Sequence, residues 1–211
     1  IEQFTVGNDR DIDIYIAKYD VKASLAHAKM LFSIGVLTSV ELEQLKKGLS
    51  ILEKQIHEGT FIIETQFEDV HSKIEFELTN MFGEVGKKIH TARSRNDQIL
   101  VALQLYYKDQ LQTIKGLVGA FFETLLNLAE LHEKCLLPGY THLQVAMPSS
   151  FGLWFSSYAE LLVDDVYLLD AAIKTIDQNP LGSAAGYGSS FPIDREFTTR
   201  ELGFSTLKYN V

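Results

Sequence analysis

The sequence predicts an all-α protein organised around long helices, and three observations carry that prediction. Leu100, Leu103, Tyr107, Leu111, Ile114, Val118, Phe121, Leu125 and Leu128 advance 28 positions in eight steps of three or four. The mean stride of 3.5 is that of supercoiled bundle helices. A second stripe, Phe151, Phe155, Tyr158, Leu162, Val166, Leu169, Ala172 and Ile176, repeats the pattern. Helix boundaries are also written locally: Thr38 and Glu41 form a capping box, and Gly35 and Gly59 stand where helices should stop.

Taken in order, the first helix runs from about Ile12 to Ile34, with Ile12, Ile16, Tyr19, Ala23, Ala26 and Met30 on its apolar face. The second opens at Thr38, runs through Leu42, Leu45, Leu49, Leu52 and Ile56, and closes at Gly59. Phe61, Ile62 and Ile63 form a run too short to decide between strand and loop. Glu68 and Asp69 open a short helix through Val70, Ile74, Leu78 and Met81, stopped at Gly83. The long helix should extend from about Asn96 to Lys134. Gly116 and Gly119 inside it cost up to about 1 kcal/mol each relative to Ala, which makes sense where another helix passes close. Pro138 and Gly139 break the chain, a polar loop follows from Tyr140 to Met147, and Pro148 suits the first turn of the next long helix. Asn179 to Gly182 end that helix, Ser183 to Pro192 read as loop, and Asp194 caps a last short helix to Leu202. Phe122, Leu126, Trp154, Leu161 and Leu168 lie outside the main stripes. Two helices cannot bury that surface on each other, so partner helices from beyond this chain are expected.

Bulk properties narrow the function. With 19 Lys and Arg against 28 Asp and Glu, the net charge of −9 disfavours nucleic acid as a partner. No apolar run approaches the ~20 residues that span a bilayer, and the first ten residues lack a signal-peptide pattern. The single cysteine, Cys135, permits no internal disulfide, which points to a reducing, cytoplasmic setting. The chain does not begin with Met, as expected of a fragment or a processed form.

Against this acidic background, residues from Lys87 to Arg95 hold four cations and His90 with no carboxylate, directly before the long helix. A cationic turn at a helix start suits an anion, because first-turn amides and the helix dipole both favour negative charge. Ser94 with Asp97 reads as a capping pair. Read by itself, the stretch fits a solvated basic cap as well as an anion site. His142, beside Thr141 and Gln144, can hold its loop by hydrogen bonds or move a proton near neutral pH. His71 can pair with Glu75 one turn on, or serve a site. His27, His57 and His132 read as structural or solvated. There is no H-E-x-x-H or Cys/His pattern, so no metal site is expected, and no Rossmann glycine pattern, so no dinucleotide and no other cofactor is expected.

Four segments carry a family likeness. His90 to Asp97 resembles the G-R-S-R-N-D motif of the argininosuccinate lyases, and Gly139 to Pro148 resembles their G-Y-T-H-L-Q-x-A-x-P motif. Glu68 to His71 resembles their E-D-[IV]-H segment, and Asn179 to Ser183 their P-L-G-S loop. The matches keep the family's order, and the R-S-R-N-D string separates this branch, which includes the lens δ-crystallins, from fumarase, aspartase and adenylosuccinate lyase. The resemblance implies an N-terminal helical domain (residues 1–93) followed by the first part of a long-helix bundle domain of the fumarase/aspartase type (94–211). It implies a homotetramer with shared active sites and the reversible elimination of arginine from argininosuccinate to give fumarate, in arginine biosynthesis. By the same resemblance, His142 is the acid/base histidine and His71 a supporting one. Ser24, Arg93, Ser94, Arg95, Asn96, Thr141 and Gln144 bind substrate. Two alternatives share these motifs in whole or part: a δ-crystallin-like structural protein without activity, and another lyase of the superfamily such as adenylosuccinate lyase. Two departures stand out. Ala92 occupies a position usually held by Gly, costly if the backbone there needs positive φ. The family's third motif, G-S-S-x-M-P-x-K-x-N-P, is not among these residues, and Ser189 and Ser190 are not read as its substitute. The isolated chain is therefore expected to be inactive.

Overall fold

The computed structural model describes Phe4 and residues 6–210. Its main elements are helices α1 (Ala17–Ser33), α2 (Ser39–His57), α3 (Val70–Phe82), α4 (Arg95–Leu131), α5 (Phe151–Ile176) and α6 (Arg195–Leu202). Strands β1 (Leu136–Thr141) and β2 (Gln144–Ser150) form an antiparallel hairpin, and the two-residue strands β3 (Gln178–Asn179) and β4 (Thr206–Leu207) pair in parallel. The architecture is of the all-α class, and the hairpin is its one sizeable departure among the described residues.

The chain divides into two compact units. The first comprises Ile1–Tyr107 with Asp177–Val211. Its core is filled by Met30, Leu31, Leu45, Leu49, Leu52, Ile74, Leu78 and Leu181, all buried. The local signals work as chemistry predicts. Thr38 Oγ1 accepts from the Glu41 amide while Glu41 Oε2 accepts from the Thr38 amide, closing the box that starts α2. Asp69 caps α3 by accepting from the Ser72 amide at 2.7 Å. Gly35, Gly59 and Gly83 all take positive φ at helix ends. The first helix is shorter than its stripe predicts. A four-residue helix (Asp9–Ile12) and a 3-10 turn (Asp13–Tyr15) precede α1, and Asp13 Oδ2 is engaged by the Val70 amide at the start of α3. Phe61 to Ile63 form no regular element, although Phe61 and Ile63 are buried.

The second unit, Lys108–Ile176, holds most of α4, the hairpin and α5. Its two helices run antiparallel, with Lys115 Nζ bonded to Asp170 Oδ1 at 2.6 Å. Their close approach is at Gly152, where a Cβ would lie 2.6 Å from Glu133 Cα and 2.8 Å from the Ala129 carbonyl oxygen. Gly116 and Gly119 do not serve this purpose here: a Cβ at either would meet nothing within 4 Å. Leu117, Phe121, Leu126, Leu161, Tyr167 and Leu168 are exposed, and Val118, Gly119, Phe122, Leu162, Val163 and Val166 line an open apolar groove of about 280 Å³.

The segment expected to be a polar loop is the β1–β2 hairpin, and Pro148 is a strand residue rather than the first turn of α5. Pairing with Leu136–Thr141 extends to Ser150, so α5 begins three residues later than the proline predicts. Ser150 Oγ then accepts from the Leu153 amide as its cap.

Candidate active site

Two helix starts and one helix face build the site in the first unit. Asp20, Ser24 and His27 lie three or four apart on α1 and so share a face. Asp69, His71 and Ser72 lie at the start of α3, and Arg93 to Gln98 form the turn that enters α4. Asp20 is fully buried and central. His71 Nδ1 lies 3.1 Å from its Oδ2. Gln98 Nε2 donates to both carboxylate oxygens, at 3.1 and 3.3 Å, and Ser24 Oγ donates to Oδ1 at 3.5 Å. Burial pulls the Asp20 carboxyl upward, but His71, Arg93 and Gln98 outweigh it and hold its pKa below the usual carboxylate value.

The two arginines of the turn have different surroundings. Arg93 is only 8% exposed, and its Nη1 donates to Ser24 Oγ at 3.1 Å. Burial lowers its pKa, and Asp20 and Asp97 supply the countercharge. Arg95 is partly open to solvent. Its Nη2 donates to Ser72 Oγ at 3.2 Å, its Nη1 to Gln98 Oε1 at 3.1 Å, and its Nε lies 3.4 Å from Asp69 Oδ2. The lysines that make the stretch look uniformly cationic point elsewhere: Lys87 pairs with Glu84 and Lys88 with Glu41.

Ser94 and Asp97 do form a capping pair, in a modified way. The Ser94 amide donates to Asp97 Oδ1 at 2.9 Å, while Ser94 Oγ accepts from the Asn96 amide at 3.2 Å. Asp97 does more than cap. It is fully buried, and its Oδ2 accepts from the amides of Gly182 and Ala184 at 2.8 and 3.0 Å. It thereby fastens the 180–184 turn to the start of α4. Arg195 holds the same turn from its other side, donating to the carbonyls of Leu181, Asn179 and Pro180.

Ala92 adopts φ +59°, the left-handed region that L residues enter at a cost of about 1–2 kcal/mol. Ala92→Gly should therefore raise stability by about 1 kcal/mol, read as a higher urea midpoint with an unchanged slope.

Of the residues singled out in the sequence, Ser24, His71, Arg93, Ser94, Arg95 and Asn96 come together around this network or at its rim, with Asn96 exposed. His71 is buried and set against Asp20, so it is not a surface partner of Glu75. Thr141, His142 and Gln144 belong to the second unit, all exposed around the hairpin tip. His142 and Leu143 both have positive φ, +51° and +64°, making a two-residue turn of the type that matches strand twist.

Asp20 and Gln98 carry no role in the sequence reading, which gives Asp69 and Asp97 capping roles alone and His27 a structural one. For Asp20 a signal existed: it falls in phase with Ile16, Ala23 and His27, where a solvated carboxylate has no place. His27 is buried, and its Nε2 lies 2.8 Å from the Thr91 carbonyl, to which it donates as the neutral ring. Burial and then Arg93 push its pKa well below 6.5, and His90 is shifted the same way, by burial first. A lowered folded-state pKa means that the stabilisation is complete above the unfolded value and drains away as pH falls below it. Stability should thus decline below pH 6.5, by up to about 1.4 kcal/mol per pH unit per histidine. Denaturation midpoints against pH should show a shallower decline for His27→Gln.

A family model described as Lyase matches residues 2–211. The chain is 55% identical over 211 residues to an argininosuccinate lyase of Phocaeicola vulgatus, covering all of this chain and 47% of the relative. It is 46% identical over 210 residues to an argininosuccinate lyase of Thermotoga neapolitana, covering 53% of that protein. The chain thus spans about half the length of the curated relatives it matches. Among solved structures, an EDDS lyase variant with bound fumarate aligns with 93% of this chain and 38% of its own at TM-score 0.80 and 29% identity. A fumarate lyase:delta crystallin from Brucella melitensis aligns with all of this chain and 52% of its own at TM-score 0.79; at 15% identity it speaks to the fold alone.

Proposed function

This chain belongs to the lyase family whose model spans it, and from that premise we propose that it is the N-terminal part of an argininosuccinate lyase. The reaction is the reversible β-elimination of argininosuccinate to arginine and fumarate. The observation that carries the reading is the Arg93–Asn96 turn at the start of α4. There one arginine is buried as part of the framework, and a second, Arg95, keeps 34% of its side chain exposed, where it can meet an anion.

The chemistry fits such a site. A base removes a proton from the carbon next to a succinyl carboxylate, and negative charge gathers on that carboxylate. Cations and amide donors fixed in advance stabilise it without reorganising. The C–N bond then breaks, and an acid protonates the leaving guanidino nitrogen. We assign that proton transfer to His142, with His71 in support through Asp20. Ser24, Arg93, Ser94, Arg95, Asn96, Thr141 and Gln144 are assigned to substrate binding, Arg93 and Ser24 from the buried side. The group that takes the first proton belongs to the family's third motif, so these 211 residues alone are expected to be inactive.

In the full-length lyase we take residues 1–93 as the N-terminal domain and 94–211 as the start of the bundle domain. The exposed apolar faces and the groove of the second unit support assembly with further helices, as in a homotetramer with shared sites. No helix among the described residues is long and apolar enough to cross a membrane, and the single cysteine accords with the cytoplasm. Isothermal titration of the full-length lyase with argininosuccinate, adenylosuccinate and aspartate tests the substrate. Argininosuccinate should bind at least tenfold more tightly than the others, and a preference for adenylosuccinate would refute the assignment.

A further inference from the structure

We propose that Gln98 is a positioning residue: a buried amide strut, pinned at its donor end by Asp20, whose acceptor end aims the Arg95 guanidinium. The inference rests on Arg95 binding a substrate carboxylate, and goes beyond it by naming what holds Arg95 in place.

The contacts form a closed ring. Asp69, His71 and Ser72 come from one helix start. His71 meets Asp20, Asp20 accepts from Gln98, Gln98 accepts from Arg95, and Arg95 returns to Ser72 and Asp69. The charged or titratable groups joined to Gln98 directly or through one partner are therefore Asp20 on α1, His71 and Asp69 at the start of α3, Arg93 in the turn and Arg95 on its own helix. Gln98 is 2% exposed, so its amide cannot turn to water for partners.

One end of the strut faces an anion and must donate, while the other faces a cation and must accept. A primary amide does both. An ionised carboxylate accepts only, and a thioether does neither usefully. The strut also fixes the amide orientation, since reversal would set NH₂ against a guanidinium and oxygen against a carboxylate. Arg95 gains a third anchor beyond Ser72 and Asp69, and its long side chain loses freedom before substrate arrives.

Gln98→Glu separates this role from simple packing. While protonated, the new carboxyl copies the amide: its O–H donates to Asp20 and its C=O accepts from Arg95. Once ionised, it opposes Asp20 and the strut fails. Two carboxylates sharing such a site push one ionisation upward.

The test uses the full-length lyase with Gln98→Met and Gln98→Glu, following KM and kcat for argininosuccinate from about pH 6 to 9. Gln98→Met should raise KM roughly tenfold or more, the weight of a hydrogen bond to a charged group, with a smaller change in kcat. Gln98→Glu should have nearly the parent KM at the acid end, and its KM should climb with pH while the parent's does not. Should Gln98→Met fail to fold, the pH profile of Gln98→Glu decides alone. A flat profile at the parent KM overturns the proposal. A parent enzyme that releases no fumarate defeats the functional reading itself, and this inference with it. An active parent with a flat Gln98→Glu profile defeats the strut alone.

Discussion

His142→Asn in the full-length lyase is expected to lower kcat by at least about 10²-fold, the usual weight of a lost general acid or base. The substitution isolates the imidazole from its backbone. His142 sits at φ +51° in a two-residue turn, and Asn is among the few residues that take this conformation readily. The hairpin should therefore persist, and thermal unfolding should match the parent. The ring is exposed at the tip, with Leu143 beside it 98% exposed, so the substitution disturbs no buried packing. Since carboxylate binding is assigned to the Arg95 turn, KM should change far less than kcat. Turnover near the parent value would remove His142 from the proton transfer.

Asp97→Ala carries the second large effect, this time on stability. One buried carboxylate accepts from the amides of Ser94, Gly182 and Ala184 and lies among the groups that balance the buried charge of Arg93. Removing it leaves the buried Gly182 N–H without a partner, at about 1–3 kcal/mol, strips two part-buried amides of theirs at a smaller cost, and weakens the support of a buried cation. A loss of about 3–5 kcal/mol is expected by urea denaturation of the full-length lyase. Asp97→Asn should fall between, because its amide NH₂ meets donors that the carboxylate accepted. A loss below about 1 kcal/mol for Asp97→Ala would show that the 180–184 turn and the start of α4 are not fastened through this residue.

The features behind these effects are unequally visible in the sequence. The helices were legible because apolar residues recur at helical spacing and the caps at Thr38, Asp69 and Asp194 are local chemistry. The β1–β2 hairpin was not. Its strands contain Pro138 and Pro148, an irregularity falls at Gly139/Tyr140, and its turn is His142-Leu143 instead of a pair rich in Gly or Asn. Within the site, the cations of the turn were visible, but their separate fates were not. Whether an arginine is buried like Arg93 or open like Arg95 depends on α1 and α3, which lie far off in sequence. Asp20 and Gln98 look like ordinary polar residues of helices until those helices meet. Ala92 is the reverse case, since the departure from glycine was plain in the sequence and its positive φ gives the cost.

Fumarate absorbance, followed when the full-length lyase is given argininosuccinate, is the most direct test of the proposed elimination. Steady release of fumarate is expected, with one arginine formed per fumarate. No fumarate from a folded, full-length protein would contradict it.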